Sequence, residues 1–232
     1  MAPGRRKNHV PQYFCVKFPQ KMKKLILIAS AALIAQTASA QLSIAPEAGF
    51  QMTNATIKVG DKLDTKMKAG FRVGANLDMG ITEHLHLQAG VFYSAMGYKM
   101  DEQGSGLLTI PKQTTSYNYL QVPVYINYMT GEAGDNRFFA GVGPYLGYAI
   151  GGKNKVDGGD SEDVKIGSEK GKDELKPMDF GVNVNVGYML SMGAYVRAHY
   201  SMGLSNNLPG GGSDLSSKNS GFGISVGYAF SF

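Results

Sequence analysis

Beyond residue 41, large apolar side chains recur on every second residue, the period of a strand with two unlike faces. The last twelve residues are the clearest case. Phe222, Ile224, Val226, Tyr228, Phe230 and Phe232 share one face, and Gly221, Gly223, Ser225, Gly227, Ala229 and Ser231 the other. A strand of a soluble sandwich would turn its large apolar side chains inward and polar ones to water. Here the second face is tiny rather than charged, which suits the crowded interior of a narrow barrel. The same alternation recurs seven more times, for eight strands in all. Leu85, Leu87, Ala89, Val91 and Tyr93 oppose His86, Gln88, Gly90 and Phe92, and Val196, Ala198, Tyr200 and Met202 oppose Tyr195, Arg197, His199 and Ser201.

The connections alternate as well. Residues 57–66, 101–114, 152–176 and 206–218 are long gaps, and 80–84, 130–136 and 190–193 short ones. Short turns on one side and longer loops on the other are the arrangement of outer-membrane barrels. Each strand segment is near or above the 9–11 residues that cross a bilayer when tilted. A closed barrel is also the one strand-built structure that pairs every backbone group in lipid. The pattern therefore predicts an all-β protein, an eight-stranded antiparallel up-and-down transmembrane β-barrel over residues 41–232, integral to the bacterial outer membrane. Aromatic residues are expected to ring both interfaces. Tyr128, Tyr188 and Phe138 would lie at the periplasmic rim, and Tyr98, Tyr117, Tyr148 and Phe180 at the outer one.

Charge changes the picture only at the N-terminus. The whole chain is +5, which alone would suggest a nucleic-acid or membrane-surface partner. Seven of its 23 basic residues and none of its 18 acidic ones lie within residues 1–40, leaving 16 basic and 18 acidic residues beyond, a net charge of −2. From Met22 the sequence reads as a secretory signal peptide: Lys23 and Lys24, an apolar stretch from Leu25 to Ala35, then Ala38-Ser39-Ala40 before Gln41 as the mature N-terminus. The apolar core is too short to span a membrane. Residues 1–40 are thus an N-terminal extension plus a cleaved signal peptide (core 22–40), with Met1 or Met22 as the start. A nucleic-acid partner is not expected. The single cysteine, Cys15, lies in the leader, so no disulfide framework is expected.

With these features in hand, a resemblance becomes usable. The last strand, ending in Val226, Tyr228, Phe230 and Phe232, resembles the C-terminal assembly signal of bacterial outer-membrane proteins. The resemblance implies contact with the barrel-assembly machinery and periplasmic chaperones during biogenesis. The stretches Gly70–Asn76, Tyr119–Val124, Gly141–Tyr145 and Gly203–Asn206, in that order and spacing, resemble the small outer-membrane β-barrel (PorT-like) family of Bacteroidetes-type bacteria. The resemblance implies fold and location, and does not single out a role in protein secretion.

Parity places Glu47, Arg72, Asp78, His86, Asp179, Arg197 and His199 in the lumen. Charges there must pair or be solvated, since a desolvated one costs several kcal/mol. Glu47, Arg72 and Arg197, on strands around the closure seam, are expected to form a polar network that plugs the barrel. Eight strands leave an interior that side chains fill, so a porin-like fold without a diffusion channel is expected. His199 and Ser201 on one face could be a base and its nucleophile. However, Met202 follows the serine where outer-membrane deacylases carry asparagine, and parity turns the pair away from lipid. Asp157–Asp163 carries carboxylates that could gather Ca²⁺, but without the spacing of a helix-loop-helix calcium site. Six lysines and seven acidic residues mix across 152–176, which reads as a solvated loop. No cofactor, metal or enzymatic activity is expected. The leading expectation is an envelope protein with a sealed or nearly sealed lumen. Its extracellular loops would serve structure or surface recognition, meeting outer-membrane lipid and an extracellular or envelope partner. The alternative is a deacylase-like lipid-modifying enzyme using His199 and Ser201.

Overall fold

The computed structural model describes residues 42–102, 111–132, 134–212 and 215–231. Ala38, Ala40 and Gln41 of the cleavage signal, and the terminal Phe232, lie outside the described residues. The strands in chain order are β1 (Leu42–Val59), β2 (Asp61–Lys62), β3 (Lys66–Gly80), β4 (Leu85–Met100), β5 (Gln113–Met129), β6 (Arg137–Val156), β7 (Ser161–Asp163), β8 (Met178–Met189), β9 (Ala194–Gly203), β10 (Leu215–Tyr228) and β11 (Phe230–Ser231). Eight of them form the wall. Each of β1, β3, β4, β5, β6, β8, β9 and β10 pairs antiparallel with its sequence neighbours, and β10 pairs with β1 to close the ring. The short β2 and β7 are outgrowths of β1 and β6 on the long-loop side, and β11 continues β10 along β1.

The register fixes the shape of the wall. Partners run from Leu42 to Met79, Leu87, Ile126, Val142, Val184, Tyr200, Phe222 and back to β1 at Met52, ten residues from the start. With about 3.3 Å per residue along a strand and about 4.8 Å between strands, this stagger tilts the strands by about 41°. It also gives a backbone cylinder of about 8 Å radius. Inward side chains from opposite walls then meet near the barrel axis.

The period-two pattern sorts the faces as the sequence anticipates. Phe50 is 82% exposed, Val226 63% and Ile224 61%. An apolar band of this extent suits lipid and not water. Phe138 and Tyr188 (ring centroids 4.6 Å apart) and Tyr228 and Phe230 (4.7 Å) decorate the rim of the short turns. That rim also carries both described chain ends, where Ser43 pairs with Ser231. At the β8–β9 turn, Gly193 adopts a φ of 92°, which a side chain would resist. Its amide donates to the Leu190 carbonyl at 2.8 Å, and its carbonyl accepts from Ala229 N–H at 2.9 Å.

The outer girdle needs a correction. Tyr148 and Phe180 face outward, but Tyr117 is buried inside the barrel and Tyr98 is half-buried against it. Tyr117 shares parity with the inward Tyr119 and Tyr125, so the same alternation that builds β5 turns it away from lipid.

The inward face is built from large side chains seated on glycines of neighbouring strands. A Cβ added at Gly187 would strike the Phe139 ring, one at Gly227 the Tyr195 ring, and one at Gly181 Tyr145 Cε1 at 2.6 Å. The same holds for Gly74 against Phe92 Cδ1 (2.8 Å) and Gly223 against His199 Cε1 (2.7 Å). The composition follows from this: a cylinder of such a small radius holds rings only where the opposing positions carry nothing.

Candidate functional site

The buried side chains of the barrel interior are arranged in layers. At the short-turn rim, Ala45, Met129, Phe139 and Tyr195 form an apolar cluster, with the Phe139 and Tyr195 rings edge to face at 6.0 Å. At the long-loop rim a second apolar cluster comprises Met96, Tyr117, Tyr119 and Ala149 of the wall with Val164 and Leu175 of the β6–β8 connection. The mixed charges of residues 152–176 suggested a solvated loop, and the structure differs. β7 pairs back onto β6, Val164 N–H donates to the Gly152 carbonyl (3.0 Å), and Val164 and Leu175 are buried in the mouth. Two apolar residues within a charged stretch are enough to dock it, because burying each such side chain contributes about 1.5–3 kcal/mol.

Between the apolar layers lies a polar interior. The structure brings Glu47, Arg72 and Arg197 together. A Glu47 carboxylate oxygen is 3.6 Å from Arg197 Nε and the other 3.9 Å from Arg72 Nη2, all three side chains being nearly inaccessible. Glu47 Oε2 also accepts from Asn76 Nδ2 and from Tyr195 Oη, both at 2.9 Å. Arg72 Cζ lies over the Phe92 ring, 3.8 Å from its centroid. Arg197 donates to Gln88 Oε1 at 2.6 Å and is surrounded by the rings of Tyr125, Phe139 and Tyr195 at 5.3–5.5 Å. Desolvated arginines are favoured on ring faces as well as beside carboxylates.

Gln88 links this network to a second group. Its amide nitrogen donates to Asp78 (3.3 Å), which contacts His86 Nδ1 at 2.7 Å, and its oxygen accepts from Asn127 (3.4 Å). Asn185 in turn donates to Asn127 at 3.1 Å. The polar partners Gln88, Asn127 and Asn185 were not singled out in the sequence, although their parity marks them as inward.

Asp179 stands apart. It is fully buried and held by neutral donors: Tyr145 Oη at 3.2 Å, Asn219 Nδ2 at 3.0 Å and the Ser205 hydroxyl. Ser205 also accepts from the Phe180 amide at 3.0 Å. This knot ties the β9–β10 connection to the start of β8.

His199 is buried in the lumen, its ring against Gly223, and Ser201 pairs across from Gly221 on the same inward face. Both residues therefore turn into the barrel and away from the acyl chains outside. Val226, Tyr228 and Phe230 lie on the outward face at the closing seam with β1. The carboxylates of Asp157–Asp163 are on the exposed outer rim.

A family model described as outer membrane protein beta-barrel domain matches residues 34–208. Among solved structures, the chain is similar to Ail, the attachment invasion locus protein of Yersinia pestis. The identity is 14% and the TM-score 0.42, over 82% of this chain and 99% of that one. It is similar to Neisserial surface protein A at 13% identity and a TM-score of 0.44, over 81% of this chain and 97% of that one. The translocator domain of the autotransporter NalP from Neisseria meningitidis matches at 10% identity and a TM-score of 0.25, over 90% and 94% of the two chains. No curated protein matches the sequence.

Proposed function

Since the chain belongs to the outer membrane protein beta-barrel domain family, we propose that it is a non-conducting integral barrel. Its work is done by the long connections it displays at the cell surface. The observation that carries this reading is the filled interior: Arg197, Tyr119, Tyr125 and Phe92 are among its largest fully buried side chains, with apolar layers on both sides. Short turns are periplasmic in outer-membrane barrels, so the 157–177 and 204–212 connections face outward. The chain meets membrane lipid through its apolar band. It engages the barrel-assembly machinery through the Val226, Tyr228, Phe230 and Phe232 face, and the periplasmic chaperones on its way there. The order and spacing of its Gly-rich stretches support a place among PorT-like barrels. The role is one of structure or recognition and not of catalysis, and the inward aim of His199 and Ser201 favours this over lipid deacylation. Two measurements test the proposal. In planar bilayers the purified barrel should give no steady conductance at the level of a water-filled channel. In intact cells, protease added outside should cut within 157–177. Steady channel currents, or cleavage only after the outer membrane is opened, would overturn it.

A further inference from the structure

We propose that the outer surface of the wall, where β9, β10 and β1 run side by side next to the 204–212 connection, seats one anionic lipid whose phosphate is held by Lys58 and Lys218. The inference rests on the reading above only in placing this end of the barrel at the outer leaflet. A groove of about 740 Å³ crosses the three strands here. Its floor carries the exposed apolar side chains of Tyr200, Met202 and Leu204. The register orders the chemistry that rises from that floor. Phe222 pairs with Tyr200 and Met52 in a wholly apolar row. One step nearer the long loops, Ser220 pairs with Met202 and Asn54. Lys218 then pairs with Thr56, and Ser216 with Lys58. Outward residues of one strand are about 6.7 Å apart, so at the strand tilt the first lysine row stands about 10 Å above the apolar row. The wall passes from hydrocarbon to hydroxyl to ammonium over that height, the order of acyl chain, ester and phosphate in a lipid.

Charge complementarity commits the groove to an anion. Lys66, Lys112 and Lys172, also at the long-loop end, each pair with a carboxylate. Lys58 and Lys218 have no ion-pair partner among the described residues, and no described residue lining the groove is acidic. The two lysines sit on adjacent strands as diagonal neighbours, with Cα atoms about 7–8 Å apart. Their flexible stems can lie along the apolar wall while both ammonium groups reach one phosphate. Ser216 and Ser220 keep the surface low beside them and add hydroxyl donors. A hydrocarbon chain alone has no use for the ammonium groups, and a free anion has none for the apolar floor. A lipid with an unshielded phosphate uses both.

The chain has no Trp, so a single Tyr200→Trp on the groove floor reports its own lipid neighbours. In phosphatidylcholine vesicles, dibrominated phosphatidic acid should quench that fluorescence with at least a fivefold preference over dibrominated phosphatidylcholine. A Tyr148→Trp protein, probed on the outward face of β6, should show less than a twofold preference. Adding Lys58→Ser/Lys218→Ser to Tyr200→Trp should bring its preference below twofold while heat-modifiable migration persists. Inorganic phosphate at 50 mM should lower the preference no more than sodium chloride of equal ionic strength. A preference below twofold in the Tyr200→Trp protein, an equal one in the Tyr148→Trp protein, or one that survives the loss of both lysines would each overturn the proposal. So would a preference removed by inorganic phosphate but not by chloride, which would mark a site for the free ion. The readout needs neither a closed lumen nor a fixed orientation in the vesicle, so it stands whichever way the protease and conductance experiments fall.

Discussion

Removing the charge of Glu47 is the sharpest probe of what holds the interior together. In Glu47→Gln, two arginines remain in a lumen where both are almost wholly inaccessible, and their one nearby carboxylate is gone. Unit charges 3.6 and 3.9 Å apart attract by about 4–5 kcal/mol each at an effective dielectric of about 20. The net loss is smaller, because Arg72 keeps the Phe92 face and Arg197 keeps Gln88 and three rings. The new amide can still accept from Asn76 and Tyr195. The expected destabilisation is therefore about 3 kcal/mol, the low end for breaking a buried pair, or roughly a hundredfold in the unfolding equilibrium. Urea titration in detergent micelles, read by heat-modifiable migration and circular dichroism, measures it; the chain has no Trp to report by fluorescence. The companion variant Glu47→Leu/Arg72→Met/Arg197→Met removes all three charges and should recover most of the loss, since an apolar replacement of a buried ionic group is often neutral or better. A single variant within about 0.5 kcal/mol of the parent would refute the reasoning. So would a triple variant no more stable than the single one.

Four further outcomes follow from the same geometry. Gly187→Val places a side chain where the Phe139 ring and the Val196 carbonyl sit, and overpacking of this kind costs about 1–3 kcal/mol or more; Gly60→Ala, at an open turn with φ of 71°, should cost about 1 kcal/mol, so the ranking in urea is the check. Phe139→Ala with Tyr195→Ala empties the short-turn layer and should introduce flickering conductance in a planar bilayer, where the parent barrel is expected to show none. Leu175→Asp places a charge among Tyr117, Tyr119 and Val164 and should release the 157–177 connection, raising its proteolysis rate at least tenfold without changing heat-modifiable migration. Mass spectrometry of protein from the outer membrane should find Gln41 at the N-terminus; retention of residues 22–40 would remove the leader assignment.

The sequence by itself determined the number of wall strands, the inward or outward aim of nearly every wall residue and the alternation of short and long connections. Period-two alternation is a local property that survives without knowledge of partners. That Glu47, Arg72 and Arg197 lie on strands beside the closure seam was also legible, because β1 lies between β3 and β10 in any closed ring and β9 follows β10; that they share a height was not. What the alternation could not carry was stagger. A shift of ten residues around the ring decides which inward residues share a height, and so which glycine receives which ring and why Gln88 reaches both Asp78 and Arg197. Nor could it assign the mouth. Val164 and Leu175 sit in a stretch that looks soluble by composition, and only the barrel's apolar upper layer makes their burial favourable. Tyr117 shows the boundary between the two levels: its position near a strand end suggested a place in lipid, while its parity and the residues that close over it put it inside.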